Sequence, residues 1–338
     1  MPRPRTRQRI IPPCAVEGAR VTIIAGTRPF AADPVPAVHI GPLQARVVAV
    51  SSTRLAVIVP PGLDGGLTPV KVEGERAPAG RLEIGAPLAT GLHQVDSPAY
   101  DSRGHLYTTY SGSRGERVPA SVFRVGPDGS REALAAGVVN ATSLAFDPDG
   151  RLCVTSRFDG SVYRLDDMGV PERIASDLGV ACGLAFSPDG SFFVGDRSGT
   201  LFRVNAAGRV VPFATLPPSV AAFHLALGPD DAVYVAAPTL SAYDVIYRVD
   251  RRGEVTVFAG PFGRPQGLAF DGDGRLYVAE ALAGDSGIYR VDGGDRRELI
   301  VAGSGLVGLA FHPARGLAVA SRDKAWFLGL SLGRLSLI

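Results

Sequence analysis

Three carboxylates, an imidazole, an amide and three guanidiniums stand at comparable points of a phrase that this chain repeats. They are Asp96, Asp196, Glu280, His224, Gln266, Arg157, Arg197 and Arg322. An aspartate beside a histidine makes a general-base pair, an arrangement hydrolytic mechanisms favour, so Asp96 with His224 is one candidate and Glu280 is a second candidate base. Asp96, Asp196 and Glu280 come from three different copies of the phrase and converge as a candidate divalent-metal set, because such ions want several oxygens. Plainer duties fit the same residues. A histidine in a polar channel commonly satisfies hydrogen bonds and nothing more. Asp196 and Glu280 have Arg197, Arg157 and Arg322 as salt-bridge partners at a rim. Cys182, with no base assignable to it, reads as a small apolar filler. No Gly-x-Ser-x-Gly, His-Glu-x-x-His or phosphate-binding loop is present.

The elements that must position these residues follow from the repeat. Ser121-Val-Phe-Arg-Val125 returns as Ser161-Val-Tyr-Arg-Leu165, Thr200-Leu-Phe-Arg-Val204, Val245-Ile-Tyr-Arg-Val249 and Gly287-Ile-Tyr-Arg-Val291, with a degenerate copy at Ala325-Trp-Phe-Leu328. The period of about 40 residues marks a repeat architecture. Within each copy, apolar runs such as Gly183-Leu-Ala-Phe186 end in turns such as Ser187-Pro-Asp-Gly190, so four strands a to d are expected, joined by hairpins. One such unit cannot bury both faces, whereas stacking around a ring does. The expected fold is all-β, with a six-bladed β-propeller over residues 87–338. The small alanine of each strand a (Ala99, Ala145, Ala185, Ala226, Ala269, Ala310) is expected to suit crowding at the axis. The starts of strands a and the ends of strands b share one face, the mouth of the central channel, which is the default ligand site. At the mouth positions so defined, His224 is the one imidazole expected. The arginines of strand c (Arg124, Arg164, Arg203, Arg248, Arg290) alternate with an aromatic and are expected to pack between blades, heads on carbonyls or turn carboxylates. Asp147-Pro-Asp-Gly150 and Asp271-Gly-Asp-Gly274 imitate the start of a calcium loop but lack its distal glutamate, and read as turns. Two segments compete to close the ring: Pro87-Leu-Ala-Thr90 and Arg334-Leu-Ser-Leu337.

Residues 11–86 carry no copy of the phrase. Short apolar runs at Val38-His-Ile40, Ala45–Val50, Leu55–Val59 and Pro69–Val72, after a strand ending at Gly26, predict a small β-sandwich. Residues 1–10, with Arg3, Arg5, Arg7 and Arg9 among prolines, are expected to be a basic flexible tail. A net charge of +2 argues against a broad nucleic-acid footprint. Three cysteines without metal-ligand spacing argue against a disulfide scaffold. No apolar run reaches a membrane span, and no h-region follows the N-terminal charges, so a cytoplasmic location is the default expectation.

The opening Gly18…Val21-Thr-Ile…Gly26…Phe30, then Ser52-Thr53-Arg-Leu55, Val59-Pro-Pro-Gly62 and Pro69-Val70-Lys-Val72, resembles the IPT/TIG immunoglobulin-like family. That resemblance implies an interaction or spacer module without catalytic residues. The "Gly-Leu-Ala-Phe…Asp-Gly…Tyr-Val" phrase of the repeats resembles the NHL and SMP-30/gluconolactonase-like propellers. Lactonases of that group hold a divalent metal with a glutamate, asparagines and an aspartate. The matching positions here look like Asp96, Cys182, Phe223 and Gln266, of which Asp96 alone could ligate. The expected function is therefore non-enzymatic binding of a protein, peptide or small molecule at the mouth, through Arg157, Asp196, Arg197, His224, Gln266, Glu280 and Arg322, with no cofactor. The alternative is a lactonase or ester hydrolase dependent on Ca²⁺, Mg²⁺, Mn²⁺ or Zn²⁺. In it Asp96, Asp196 and Glu280 hold the metal, and His224 or Glu280 acts as base.

Overall fold

The computed structural model describes residues 8–31, 33–135, 137–281 and 285–329, and among them every regular element is a β-strand. Each repeat is an antiparallel meander. Repeat 2, for example, runs through strands a Ala141–Phe146, b Leu152–Ser156, c Ser161–Leu165 and d Pro171–Ala175. Its a–b turn follows from its residues. Asp147 Oδ1 accepts the amides of Asp149 and Arg151 at 3.0 and 2.9 Å, and Gly150 takes φ +78°, a left-handed value natural to glycine. Asp271 accepts the amides of Asp273 and Arg275 in the same way.

The strand-c arginines are structural. Arg164, Arg203 and Arg248 reach the a–b turn carboxylates Asp147, Asp189 and Asp230 at 3.2, 3.6 and 2.7 Å. Arg124 and Arg290 reach Glu132 and Glu298 of strand d at 2.5 and 2.8 Å.

Where six separate blades are expected, five separate four-stranded sheets are found. They belong to repeats 1, 2, 3, 4 and 6. The strands of repeat 5 (Pro265–Phe270, Leu276–Glu280, Gly287–Val291 and Arg297–Ala302) instead end a twelve-stranded sheet that runs on into the N-terminal segment. Buried apolar clusters fill the space between successive repeats and join repeat 6 to repeat 1 through Leu92, Leu106, Val125, Ala318 and Ala325. The ring closes through Ala86–Thr90, which pairs antiparallel with strand c of repeat 6 (Lys324–Leu328), Ala89 opposite Ala325. Arg334–Leu337, the other segment considered, lies outside the described residues.

The recurring alanine of strand a does not face the axis. Ala185 packs into the cluster of Phe223, Leu225 and Val235 from the next repeat. Close approach at the axis rests on the residue two positions before it, which is Ser97, Ser143, Gly183, His224, Gly267 and Gly308 in the six repeats. A methyl group on Gly308 would stand 2.4 Å from Ser97 Cα and 2.8 Å from Asp96 O, both backbone. Gly308→Ala is therefore expected to cost about 1–3 kcal/mol of stability through overpacking, read as a lowered urea midpoint with an unchanged slope.

The N-terminal segment builds β1 (Arg9–Ile11), β2 (Cys14–Ala15), β3 (Arg20–Ile24), β4 (Val38–Ile40), β5 (Leu43–Val50), β6 (Arg54–Ile58), β7 (Gly66–Val72) and β8 (Gly80–Ile84). Regular structure thus begins at Arg9, inside the expected tail. Alternation buries Val21 and Ile23 of β3, Leu55 and Val57 of β6, and Val38 and Ile40 of β4 in one core with Val70, Leu82 and Ile84. A free-standing immunoglobulin-like sandwich is not shown, because these strands are joined to the propeller. The two residues of β2 lie parallel between β8 and strand d of repeat 5, with Cys14 opposite both Glu83 and Val301. Lys324 Nζ reaches Glu17 Oε1 at 2.6 Å, and Arg20 pairs with Asp285, so ion pairs also span the joint.

Candidate functional site

The segment that enters strand a of repeat 1 bonds across the ring. Between the closing strand and strand a of repeat 1 (Ala99–Tyr100), residues Gln94–Ser97 reach over the axis. Val95 packs against the cluster containing Cys182 of repeat 3 and Ala222 and Phe223 at the entry to repeat 4. Asp96 Oδ1 accepts the Ser97 amide at 2.7 Å and meets His224 Nδ1 at 2.6 Å. His224 opens strand a of repeat 4 (His224–Leu227), so this bond crosses the ring. Both partners are buried, and His224 Nε2 has no hydrogen-bond partner among the described residues. Gln94 braces the segment. Its Nε2 donates to Asp96 O at 2.8 Å, its Oε1 accepts from Thr109 N at 2.8 Å, and its amide donates to Arg322 O at 2.9 Å. The pair anticipated between Asp96 and His224 therefore exists, as the floor of the mouth.

The other two carboxylates do not join it. Asp196 Oδ1 accepts the Val180 amide at 2.7 Å, and its other oxygen accepts the Ser198 hydroxyl. Glu280 accepts the amides of Gly263 and Arg264 at 2.8 and 2.7 Å. Each carboxylate ends a strand b and ties down the loop that enters strand a of its own repeat. In repeat 2 the same task falls to Ser156, whose hydroxyl donates to Val139 O at 2.7 Å. Among the described residues no three His, Cys, Asp or Glu side chains gather as a metal-binding group, so Asp96, Asp196 and Glu280 do not converge. The expected rim ion pairs are likewise absent. Arg157, Arg197 and Arg322 form no salt bridge among the described residues.

These three arginines follow strands b of repeats 2, 3 and 6 directly, and their backbones are pinned. Arg157 N donates to Asn140 O, Arg197 N to Val180 O, and Arg322 O accepts from Gln94. Arg157 is half-buried, and burial, then the charges of Arg197 and Arg322, hold its guanidinium below the usual arginine value, against an opposing contribution from Cys182. Burial pushes the Cys182 thiol up to about 12, despite the Phe223 amide, Arg157 and Arg197. It stays protonated at neutral pH and is no nucleophile. Gln266 is buried at the start of repeat 5, and Thr142 donates to Asn140 O at 2.8 Å.

A second imidazole, unforeseen from sequence, lies at the rim. His93 stacks edge-on against Tyr110 at 5.9 Å, and burial with the charges of Arg322 and Arg157 lowers its pKa against the pull of Glu116. Asn140, buried at φ +52°, shapes the adjacent loop. Its Nδ2 donates to Ser111 O and Ser113 O at 2.6 and 2.7 Å, and its Oδ1 accepts from Gly115 at 2.8 Å. An asparagine just before a strand, where the chain needs a left-handed residue, was the available signal.

On the opposite face, where the a–b turns lie, a cleft of about 430 Å³ opens between repeats 3 and 4 beside Phe193, Arg203 and Phe213. Its arginines are spoken for, Arg203 by Asp189 and Arg251 by Asp231.

Residues 135–163 match the family model described as WD domain, G-beta repeat, a single repeat rather than the NHL type. No curated protein matches the sequence. Among solved structures, a protein of unknown function from Bacteroides thetaiotaomicron is 14% identical, with 96% of this chain and 98% of that chain covered and a TM-score of 0.57. An auxiliary nutrient binding protein from the same organism is 13% identical, with coverage of 96% and 97% and a TM-score of 0.56. A gluconolactonase from Xanthomonas campestris is 18% identical, with coverage of 73% and 89% and a TM-score of 0.58. No helix among the described residues is long and apolar enough to cross a membrane. At these identities the likenesses show the fold alone: the chain is an all-β protein built on a β-propeller with gluconolactonase-like neighbours.

Proposed function

We propose that this chain is a non-enzymatic binding protein whose small-molecule or peptide ligand sits on the propeller mouth, above the Asp96–His224 floor. One observation carries the reading: the carboxylates at the mouth are engaged by hydrogen bonds, whereas Arg157, Arg197 and Arg322 have no ionic partner among the described residues. The reading takes the ring as six-bladed, repeat 5 being a blade whose outer edge is extended by β2. It takes residues 11–86 as an immunoglobulin-like interaction or spacer module of the IPT/TIG kind, with one core shared by β3 to β8 supporting it.

The hydrolase alternative is favoured by the Asp96–His224 bond itself, a general-base geometry. Its weakness is the donor set, since Glu280 and Asp196 serve backbone amides and Cys182 is a buried thiol.

Melting of the full chain separates the two. After chelator treatment, millimolar Ca²⁺, Mg²⁺, Mn²⁺ or Zn²⁺ is expected to leave the melting temperature unchanged. A small-molecule screen is expected to give hits that vanish in Arg197→Gln/Arg322→Gln. A metal held a hundredfold below its supplied concentration would add about 2.7 kcal/mol, or roughly 5–10 °C. Such a rise, with lactone turnover lost in Asp96→Asn, would overturn the binding reading.

A further inference from the structure

The mouth combines unpaired positive charge with exposed apolar surface. Every repeating strand-c arginine reaches a carboxylate, at 2.5 to 3.6 Å. Arg157, Arg197 and Arg322 break that habit together, on one face and from three repeats. Each follows a strand b onto the mouth face, Arg157 N bonded to Asn140 O, Arg197 N to Val180 O and Arg322 O to Gln94 N, and the charges of Arg197 and Arg322 disfavour that of Arg157. Of the carboxylates at this rim, Asp96 is held by His224 and Glu116 accepts the Ser113 amide. Around the arginines the rim carries exposed apolar side chains beside charged ones such as Asp159 and Asp323. Phe158 follows Arg157 and is 55% exposed, and Val180, whose carbonyl accepts the Arg197 amide, is 36% exposed. Arg197 Nη2 reaches Val220 O, and Val220 N donates to Pro238 O, which leads to the loop bearing Leu240 and Tyr243, 91% and 69% exposed.

We infer that the ligand of this mouth is a small organic anion with an apolar body, its carboxylate or phosphate gripped by Arg157, Arg197 and Arg322 and its body laid against Phe158, Val180, Leu240 and Tyr243. The inference rests on the binding reading above and adds the ligand class. Guanidinium forks match planar or tetrahedral oxyanions, and clustered unpaired cations lose their mutual repulsion when an anion arrives. The apolar side chains of the rim then shield the ligand's body from water.

The test is calorimetric titration of the full chain with three probes: octanoate, 1-octanol and inorganic phosphate. Octanoate is expected to bind saturably at one site, with 1-octanol and phosphate each at least about tenfold weaker. Arg157→Gln, Arg197→Gln and Arg322→Gln are each expected to weaken octanoate roughly ten- to a hundredfold, the loss of a charged hydrogen bond. Arg46→Gln, on exposed β5, is expected to leave it unchanged, and melting curves verify that each variant is folded. Equal binding of octanoate and 1-octanol, or arginine variants no weaker than Arg46→Gln, would overturn the anionic class. Phosphate binding as tightly as octanoate would overturn the apolar body. If neutral molecules bind and lose affinity on deletion of Leu240 and Tyr243 side chains while no anion binds, the binding reading stands and this inference falls.

Discussion

Asp96→Ala is expected to lower the free energy of unfolding by about 2–4 kcal/mol, because it leaves two buried or part-buried donors without their acceptor. Asp96 serves the Ser97 amide at 2.7 Å and His224 Nδ1 at 2.6 Å, and neither donor finds water easily once it is gone. The effect should spread along the segment, because Val95 and Gln94 hold it across the axis only while Asp96 has its partner. His224→Ala should destabilise as well, leaving Asp96 buried without its imidazole. The double variant is expected to lose less than the sum, with a coupling of about 0.5–3 kcal/mol. Urea unfolding followed by far-UV circular dichroism measures all three. A loss below about 1 kcal/mol in Asp96→Ala would mean that the pair does not hold the floor.

Trp326→Ala is the second large effect, at about 3–5 kcal/mol. This indole is 6% exposed in a cluster with Cys14, Val16, Val301 and Leu309, so it touches the N-terminal joint and repeats 5 and 6 together. Its strand also pairs with the closing strand, Trp326 opposite Pro87, and a methyl group on Gly85 would stand 3.0 Å from Trp326 Cβ. One side chain thus supports both ring closure and the weld to β2. It is the single tryptophan of the chain, so intrinsic fluorescence of the native protein reports on this joint alone. Trp326→Phe should recover part of the loss by refilling volume. An alanine variant within about 1 kcal/mol of the parent would show that closure rests on strand pairing instead.

What could be read from sequence divides along the repeat. Copies calibrate one another, so the four-strand meander, the Asp-Pro-Asp-Gly turns, the paired strand-c arginines and the phase of the mouth residues were legible. Phase also held a warning about the acids. Asp196 and Glu280 share their position with Ser156, a residue suited to tying a loop and to little chemistry, and tying a loop is what all three do. Outside the repeat no copy existed to compare. Gln94–Ser97 aligns with the strand-a entries of the other repeats, but its Gln-Val-Asp run occurs once there, so neither its reach across the ring nor His93 at the rim was visible. The two residues of β2 are too short for any periodicity, and a parallel strand between two partners leaves no turn signal. Spacing put Arg157, Arg197 and Arg322 on one face, but which carboxylates they would find depended on backbone amides that sequence does not weigh.

The proposed anion sits at the mouth, held by Arg157, Arg197 and Arg322. A crystal of the full chain soaked in 8-bromooctanoate tests it directly, because anomalous scattering fixes the bromine and density fixes the carboxylate. The carboxylate is expected within about 3 Å of guanidinium nitrogens of Arg157 and Arg197, with the chain running toward Leu240 and Tyr243. A ligand seated instead in the cleft beside Phe193 and Phe213 on the opposite face, with the mouth arginines untouched, would contradict it.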